Sequence, residues 1–248
     1  VAAAARKRDA NATVIELADR VCARALTPEM SAWVHELHVS HGVDIRLSAA
    51  FDHFEGDGKL QRAVLGDGTA IPCDVAVVGI GLIPNTELAE QAGLSIDNGI
   101  VVDEHGQTSH PDIFSAGDVT NHPNSLLGRR VRLESWENAQ NQGINAAKAM
   151  LGTMQPYAEI PWFWSDQYDA NIQMMGLPEN WDETVIRGDR NAGEFIEFYL
   201  KEGEIQGAAA INNARDLRFT RRMMTSGKKF EAASLADPDI KLQKLLKG

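Results

Sequence analysis

The chain has 248 residues, 44% of them hydrophobic and 24% charged, a balance that predicts a soluble globular protein of one or two domains. Its formal net charge of −11 disfavours nucleic acid as the main partner, because phosphate binding needs a basic face. Charges or glycines interrupt every apolar run before the roughly 18–20 residues that a membrane span requires, so we expect no membrane insertion.

The cysteine content indicates a reducing compartment. Cys22 and Cys73 are far apart in the sequence and form no CxxC pair, which excludes a dithiol relay within this segment. The opening VAAAARKRDANA places small residues before charges, the reverse of the order in a signal peptide. We therefore expect a cytoplasmic protein.

The first elements predict part of a nucleotide-binding unit. Residues 1–7 form an alanine-rich helix, and residues 11–16 (NATVIE) form a β-branched strand that ends in an acidic residue. A helix followed by such a strand is the second half of a βαβ unit. We expect the first strand and its glycine loop upstream of Val1, so that the chain begins inside a domain.

Glu16 is the first candidate binding residue. A carboxylate at this strand end can accept both hydroxyls of an adenine ribose and would repel a 2′-phosphate, which selects NAD over NADP. A solvated strand-end glutamate is an equally good interpretation. Arg20 and Arg24 follow in the next loop, where ordinary surface positions explain them better than contact with the adenosine.

A helix is predicted over residues 27–41. Thr27 can cap it, and Met30, Val34 and their neighbours Trp33 and Leu37 repeat at the spacing of a buried stripe. Three histidines fall three apart on this helix: His35, His38 and His41. No carboxylate or cysteine completes a metal site with them, so we interpret them as a solvated face and expect no metal.

Strands are predicted at residues 43–47, 51–55 and 60–65, and a buried parallel strand at 74–78 (DVAVV) leads into Gly79-Ile80-Gly81. Glycines directly after a buried strand let the backbone approach a ligand at the carboxyl end of the sheet. Tight turns use the same residues, so Gly79 and Gly81 are candidates only because of their position.

The most informative pattern lies at residues 108–118 (TSHPDIFSAGD). It follows a predicted strand at 96–102 and contains another at 113–115, which ends at Gly117 and Asp118. Glycine admits a ligand against the backbone, and Asp118 offers an acceptor to a sugar-alcohol hydroxyl. A buried carboxylate without a ligand would need a donor from the protein.

A helix predicted at residues 135–151 begins with Ser135 as its cap, followed by Trp136. Its unpaired N–H groups and positive dipole end would stabilise the negative charge that develops at N1 and C2=O of a reduced flavin. An ordinary capped helix is the simpler interpretation of this segment alone.

From residue 157 onward the pattern is that of a separate α+β domain. Trp162, Trp164 and Trp181 lie in this part, with strands predicted at 194–200 and 204–211. A last helix is predicted to begin at Asp237-Pro238.

Four segments in this order and spacing, VVGIGLIPNTELA, TSHPDIFSAGDV, ESWENAQNQG and PWFWSDQYD, resemble the FAD-dependent ferredoxin reductases of bacterial oxygenase and cytochrome P450 systems. The resemblance covers nearly the whole chain, and the last segment is the most specific. It implies that the chain lacks the amino-terminal FAD and NAD glycine motifs and holds about half of each nucleotide site.

The resemblance also implies roles. Asp118, beside Gly117, binds the ribityl of FAD, and the backbone at Trp136, after Ser135, approaches the isoalloxazine. Glu16 and the turn from Gly79 to Gly81 face NADH. Trp162 and Trp164 lie on the side of the flavin where the redox partner docks.

The predicted fold class is α/β: portions of two three-layer, Rossmann-like domains and a C-terminal α+β interface domain. Residues 1–91 are assigned to the NAD-binding domain, 92–156 to the FAD-binding domain and 157–248 to the interface domain. The implied activity is electron transfer from NADH through FAD to a ferredoxin-type [2Fe-2S] protein, with no catalytic acid or base among the side chains.

Two alternatives stay open. One is an NADH oxidase or peroxidase, against which the WFWSDQ segment argues. The other is an NADH-responsive interaction protein resembling apoptosis-inducing factor, which a basic DNA-binding face would support. The densest basic cluster is Arg129, Arg130 and Arg132, which could steer an acidic iron–sulfur partner or simply lie in a solvated loop.

Overall fold

The computed structural model describes residues 1–23 and 25–247, so Arg24 lies outside the described residues. The chain forms two compact units, Val1–Gly81 and Leu82–Gly248. Within the described residues, no helix is both long enough and apolar enough to cross a bilayer.

The first unit begins with a βαβ arrangement. Its elements are α1 (Ala2–Arg6), β1 (Thr13–Ile15), α2 (Pro28–Ser40) and β2 (Asp44–Arg46). Strands β1 and β2 pair in parallel, as expected where a helix crosses between two strands of one sheet.

Helix α2 confirms the predicted capping and burial. The Thr27 hydroxyl accepts from the Met30 amide at 3.4 Å, and Met30 and Val34 are buried. One interpretation is wrong: His38 is buried instead of lying on a solvated face, because it falls four residues after Val34 on the same side of the helix.

The rest of this unit is an antiparallel sheet of β3 (Phe51–Glu55), β4 (Arg62–Leu65) and β5 (Ala70–Pro72). The buried strand predicted at 74–78 is wrong. Within the described chain these residues pair with no strand, and Val75, Val77 and Val78 are exposed. An apolar run becomes a buried strand only where neighbouring strands and helices cover it, and this segment has none.

The second unit begins with short elements: α3 (Glu87–Gln91), β6 (Ile100–Val101), β7 (Thr120–Asn124), β8 (Arg129–Arg132) and α4 (Trp136–Met150). Strand β6 runs parallel to β7, and β7 runs antiparallel to β8. The strand predicted at 96–102 is reduced to β6, and the one at 113–115 to a single bridge between Gln107 and Phe114. Turns at both sites leave too few residues in line for a ladder.

The C-terminal part is a five-stranded antiparallel sheet covered by helices. In chain order its elements are β9 (Trp162–Gln167), β10 (Ala170–Gly176), β11 (Glu183–Asp189), β12 (Glu194–Lys201), β13 (Glu204–Ile211), α5 (Ala214–Met224), α6 (Ala232–Ala236) and α7 (Leu242–Lys247). The strand order is β11-β12-β13-β10-β9, so β9 is an edge strand.

The core lies under β12, which is next to the central strand β13. Ile196, Phe198 and Leu200 on this strand are fully buried and pack in one cluster with Leu217 of α5 and Leu235 of α6. The predicted strands at 194–200 and 204–211 are confirmed by β12 and β13.

The last helix begins later than predicted. Residues 237–241 form no helix, and Arg187 of β11 holds three of their carbonyl groups. Its guanidinium donates to the carbonyl oxygens of Asp237, Pro238 (3.2 Å) and Ile240 (3.0 Å), and ion-pairs with Asp216 at 2.9 Å.

The α/β class with an additional C-terminal domain is confirmed: parallel pairs occur before residue 157, and the antiparallel sheet follows it. The individual boundaries at 91/92 and 156/157 stay predictions.

Candidate functional site

Helix α4 connects the candidate residues of the second unit. Ser135 caps it, because its hydroxyl accepts from the Asn138 amide at 3.3 Å. The amides of Trp136 and Glu137 make no backbone hydrogen bond among the described residues, as expected for the first turn of a helix. The predicted cap is confirmed, and it leaves two free N–H donors at the positive end of the helix dipole.

Gly117 lies directly against this helix. Its φ of +87° lies in the left-handed region, which favours glycine, and a Cβ there would lie 3.5 Å from the Cβ of Ala139. Its amide donates to Oε1 of Gln142 at 2.7 Å. The turn is therefore fixed to α4, and the Gly117 amide is occupied by the protein.

Asp118 is exposed and not buried as its strand-end position suggested. Its backbone carbonyl accepts from Arg132 at 3.0 Å, but its carboxylate makes no hydrogen bond or ion pair to any described residue. The side chain is thus unengaged at the end of a turn whose backbone is held on both sides. A carboxylate in that position is available to a ligand hydroxyl.

Two tryptophans extend the site from α4 to the edge strand β9. Trp136, the first residue of α4, is two-thirds exposed, and its ring meets that of Trp164 edge-on with centroids 6.2 Å apart. Trp164 in turn stacks on Trp162 at 4.8 Å. We call Trp136, Trp162 and Trp164 the tryptophan array. Trp162 packs against the core cluster, whereas Trp164 is 41% exposed.

A buried polar network supports the turn from behind. Gln142 uses its oxygen for Gly117, so its Nε2 donates to Nδ1 of His122 at 2.7 Å. The ring proton of His122 therefore resides on Nε2, a buried atom without a hydrogen-bond partner in the described chain. Burial is the main cause that lowers the pKa of His122 to about 4, so this histidine is neutral at physiological pH.

Neither Gln142 nor His122 was identified from the sequence. A pattern was present: Asn138 and Gln142 are buried polar residues four apart on the same face of α4, next to Ala139. Buried amides need partners, so a polar stripe facing a glycine turn indicates a supported site.

The arginine cluster proposed to steer a partner is largely engaged within the protein. Arg129 pairs with Glu179 at 2.6 Å, and Arg132 with Glu134 at 2.9 Å. Arg130 donates to the side-chain oxygen of Asn121 at 3.0 Å and to the carbonyl of Val102 at 2.7 Å. These contacts favour a structural role for all three.

In the first unit, Glu16 follows β1 directly, at the carboxyl end of the parallel pair. Its Oε1 accepts from the Ala18 amide at 2.9 Å, while Oε2 bonds to no described residue. Arg20 is tied into its own loop through the carbonyls of Ala23 (2.9 Å) and Leu26 (2.6 Å), which explains it without a nucleotide.

Gly81 has φ of +110°, a conformation that requires glycine, whereas Gly79 has no neighbour within 4 Å of an added Cβ. The described residues contain no hydrogen bond between Glu16 and this turn. The structure thus supports a turn that requires glycine at Gly81. At Gly79 no described atom lies close enough to exclude a side chain.

No group of three or more histidine, cysteine, aspartate or glutamate residues suited to a metal occurs in the part of the chain that the structure describes. Both cysteines are free thiols.

Comparison with known families gives two matches. Residues 1–143 match the family described as pyridine nucleotide-disulphide oxidoreductase, and residues 162–246 match the one described as reductase C-terminal.

Similar proteins of known sequence or structure have consistent names. The ferredoxin–NAD(+) reductase component of an anthranilate 1,2-dioxygenase system from Burkholderia cepacia is 46% identical over 250 residues, covering 99% of this chain and 61% of that protein. The ferredoxin reductase for the CYP199A2 system from Rhodopseudomonas palustris has a TM-score of 0.94 at 37% identity, covering 99% and 61%. A covalent putidaredoxin reductase–putidaredoxin complex also gives 0.94, at 36% identity, covering 100% and 60%. The chain thus spans about 60% of the length of these relatives.

Proposed function

Because this chain belongs to the pyridine nucleotide-disulphide oxidoreductase family, we propose that the protein is an FAD-dependent ferredoxin–NAD(+) reductase. It transfers electrons from NADH to a ferredoxin-type [2Fe-2S] protein that serves an oxygenase or a cytochrome P450. The observation that carries this proposal is the arrangement at the start of α4. This one helix links three features: the N–H donors of its own first turn, the Asp118 carboxylate and the tryptophan array.

The residues present fit a flavin. Asp118 offers an unpaired acceptor, which suits a ribityl hydroxyl, and Gly117 keeps side-chain bulk away from the adjacent backbone. The amides of Trp136 and Glu137 are donors without a backbone acceptor, at the end of a helix whose dipole favours negative charge.

FAD, when bound, supplies the redox chemistry, accepting a hydride and releasing single electrons. The protein's part is to bind, orient and stabilise. Asp118 fixes the sugar-alcohol chain, the first turn of α4 stabilises negative charge, and no side chain is required to move a proton. This division of labour is the reason that we assign no catalytic acid or base.

Glu16 supports NADH as the donor. Its free Oε2 lies at the carboxyl end of a parallel strand pair, the end at which open α/β sheets bind nucleotides. A second negative charge from a 2′-phosphate would be repelled there.

The tryptophan array supports a protein acceptor. Trp164 is on an edge strand, partly exposed, and in ring contact with Trp136 at the first turn of α4. Exposed aromatic rings beside a cofactor are typical of the surfaces at which redox proteins dock. Two of the similar proteins are named for a ferredoxin partner or system, and a third was solved bound to putidaredoxin. We assign the reaction to the cytoplasm, in keeping with the two free thiols.

The experiment that tests the proposal compares acceptors. We expect the intact, FAD-loaded protein to reduce cytochrome c with NADH only when a [2Fe-2S] ferredoxin is added. NADH oxidation in air without ferredoxin should be slow and should release little peroxide. Rapid oxygen or peroxide consumption that ferredoxin does not change would instead indicate an NADH oxidase or peroxidase.

A further inference from the structure

An ion pair connects the C-terminal domain to the first turn of α4. Arg221 of α5 donates from one terminal nitrogen to both carboxylate oxygens of Glu137, at 2.9 and 3.1 Å. Both side chains are partly buried, and the two residues are 84 positions apart in the sequence. The contact is therefore made by the tertiary fold.

Glu137 occupies a position where charge matters. It is the second residue of α4, directly after Trp136, and its own amide is one of the two free donors. A carboxylate in the first turn ordinarily stabilises a helix by opposing its dipole. At this helix, however, an unpaired Glu137 would compete with any second negative charge at the same end.

We propose that Arg221 neutralises Glu137 so that the first turn of α4 stays available to stabilise the negative charge of reduced flavin. Arg221 is then a positioning residue that acts through Glu137 and sets the reduction potential from the neighbouring domain. This inference rests on the proposed function, because it assumes that FAD binds at this helix end.

Two other carboxylates belong to the surroundings of this pair. Glu159 shares Arg221 with Glu137, at 3.7 Å from the second terminal nitrogen, and Asn141 of α4 donates to it at 3.2 Å. Glu134 is paired with Arg132. Among the described residues, loss of Arg221 thus leaves both Glu137 and Glu159 without a cation, and Glu137 is the one in the first turn of α4.

The test is the reduction potential of FAD in the intact protein. In Arg221→Gln the uncompensated Glu137 should make the reduction potential more negative, by up to about 30 mV for a two-electron couple. This shift corresponds to a roughly tenfold loss of affinity for reduced flavin relative to oxidised flavin. Glu137→Gln should shift the potential the opposite way. The double variant should return close to the unmodified value, and Arg221→Lys should retain it.

Arg218→Gln is the matched control on the same helix, because Arg218 is exposed and, among the described residues, bonds only the carbonyl of Ala214. It should leave the potential unchanged. Equal potentials in Arg221→Gln and the unmodified protein would overturn the inference, as would shifts of the same sign in the two single variants. If the unmodified protein binds no FAD after reconstitution, the proposed function itself fails, so the two failures are distinguishable.

Discussion

Single residues carry most of the proposed chemistry. Each of them can bind a ligand only through polar groups that the protein does not already bond. Among the described residues, the carboxylates of Asp118 and Glu16 both retain an oxygen without a donor, whereas Arg129, Arg130 and Arg132 have their acceptors within the fold. The sequence identified both carboxylates correctly as strand-end or turn residues. It could not reveal which polar groups the fold would already satisfy, because those partners are distant in the sequence.

We predict that Asp118→Ala weakens FAD retention in the intact protein. Loss of a hydrogen bond to a charged group typically costs about 1.5–3 kcal/mol, or roughly ten- to over a hundredfold in affinity. Flavin absorbance after dialysis measures the effect. Asp112→Ala, which removes another exposed carboxylate before the same turn, is the control and should keep its flavin. Full flavin occupancy in the Asp118 variant would contradict the assignment.

We predict that the intact protein prefers NADH to NADPH and that Glu16→Ala narrows this preference, because the repulsion of a 2′-phosphate is lost. The ratio of kcat/KM for the two nucleotides is the measurement. Asp19→Ala, an exposed carboxylate three residues later, should leave the ratio unchanged. Equal kcat/KM for both nucleotides in the unmodified protein would rule out this role for Glu16.

Among the helices and strands, the sequence predicted the features that depend on residues close together in the chain. The caps and buried faces of α2 and α4 follow from a hydroxyl before a helical repeat, and β12 and β13 from long apolar runs around a tight turn. Strand pairing and contacts from distant side chains depend on residues that are far apart in the chain. The apolar segment at 74–78 lacks a partner strand, and residues 237–241 give their carbonyls to Arg187, which comes about 50 residues earlier in the chain.

The contact between β7 and α4 predicts a pH dependence of stability. His122 is buried and neutral, with a pKa of about 4 instead of its ordinary 6.5. Between those pH values the unfolded chain binds the proton and the folded chain does not, so stability is lost as pH falls from about 6.5 towards 4. The loss from this group is at most about 3 kcal/mol.

Denaturant unfolding at pH 7 and at pH 4.5 measures this loss. His122→Asn keeps an acceptor for Gln142 but cannot take up a proton, so its stability should fall less between the two pH values than that of the unmodified protein. The same fall in both proteins would show that His122 does not contribute.

At the scale of the whole molecule, the C-terminal domain supplies two of the three rings of the tryptophan array and the cation at the start of α4. The WFWSDQ segment predicted the family, but the sequence did not show that Trp162 and Trp164 differ. Trp162 lies against the core cluster, while Trp164 is exposed at the sheet edge. Only the packing of the strand against the core cluster separates the two.

We predict that Trp164→Ala slows ferredoxin-coupled turnover while NADH-dependent reduction of ferricyanide survives, because a small acceptor reaches the flavin without docking. Thermal stability should change little. Trp162→Ala is the contrasting variant and should lower the melting temperature, since Trp162 packs against the core cluster and truncating a tryptophan in a core costs up to about 3–5 kcal/mol. An unaltered ferredoxin-coupled rate in Trp164→Ala would remove this residue from the docking surface.

Rapid mixing without oxygen measures whether electrons pass from NADH through FAD to a ferredoxin. The intact protein is first reduced with one equivalent of NADH and then mixed with an oxidised [2Fe-2S] ferredoxin. We predict that the flavin absorbance returns as the ferredoxin absorbance bleaches, at a rate that rises with ferredoxin concentration. A flavin that stays reduced in the presence of ferredoxin and reoxidises only when oxygen or peroxide is admitted would contradict it.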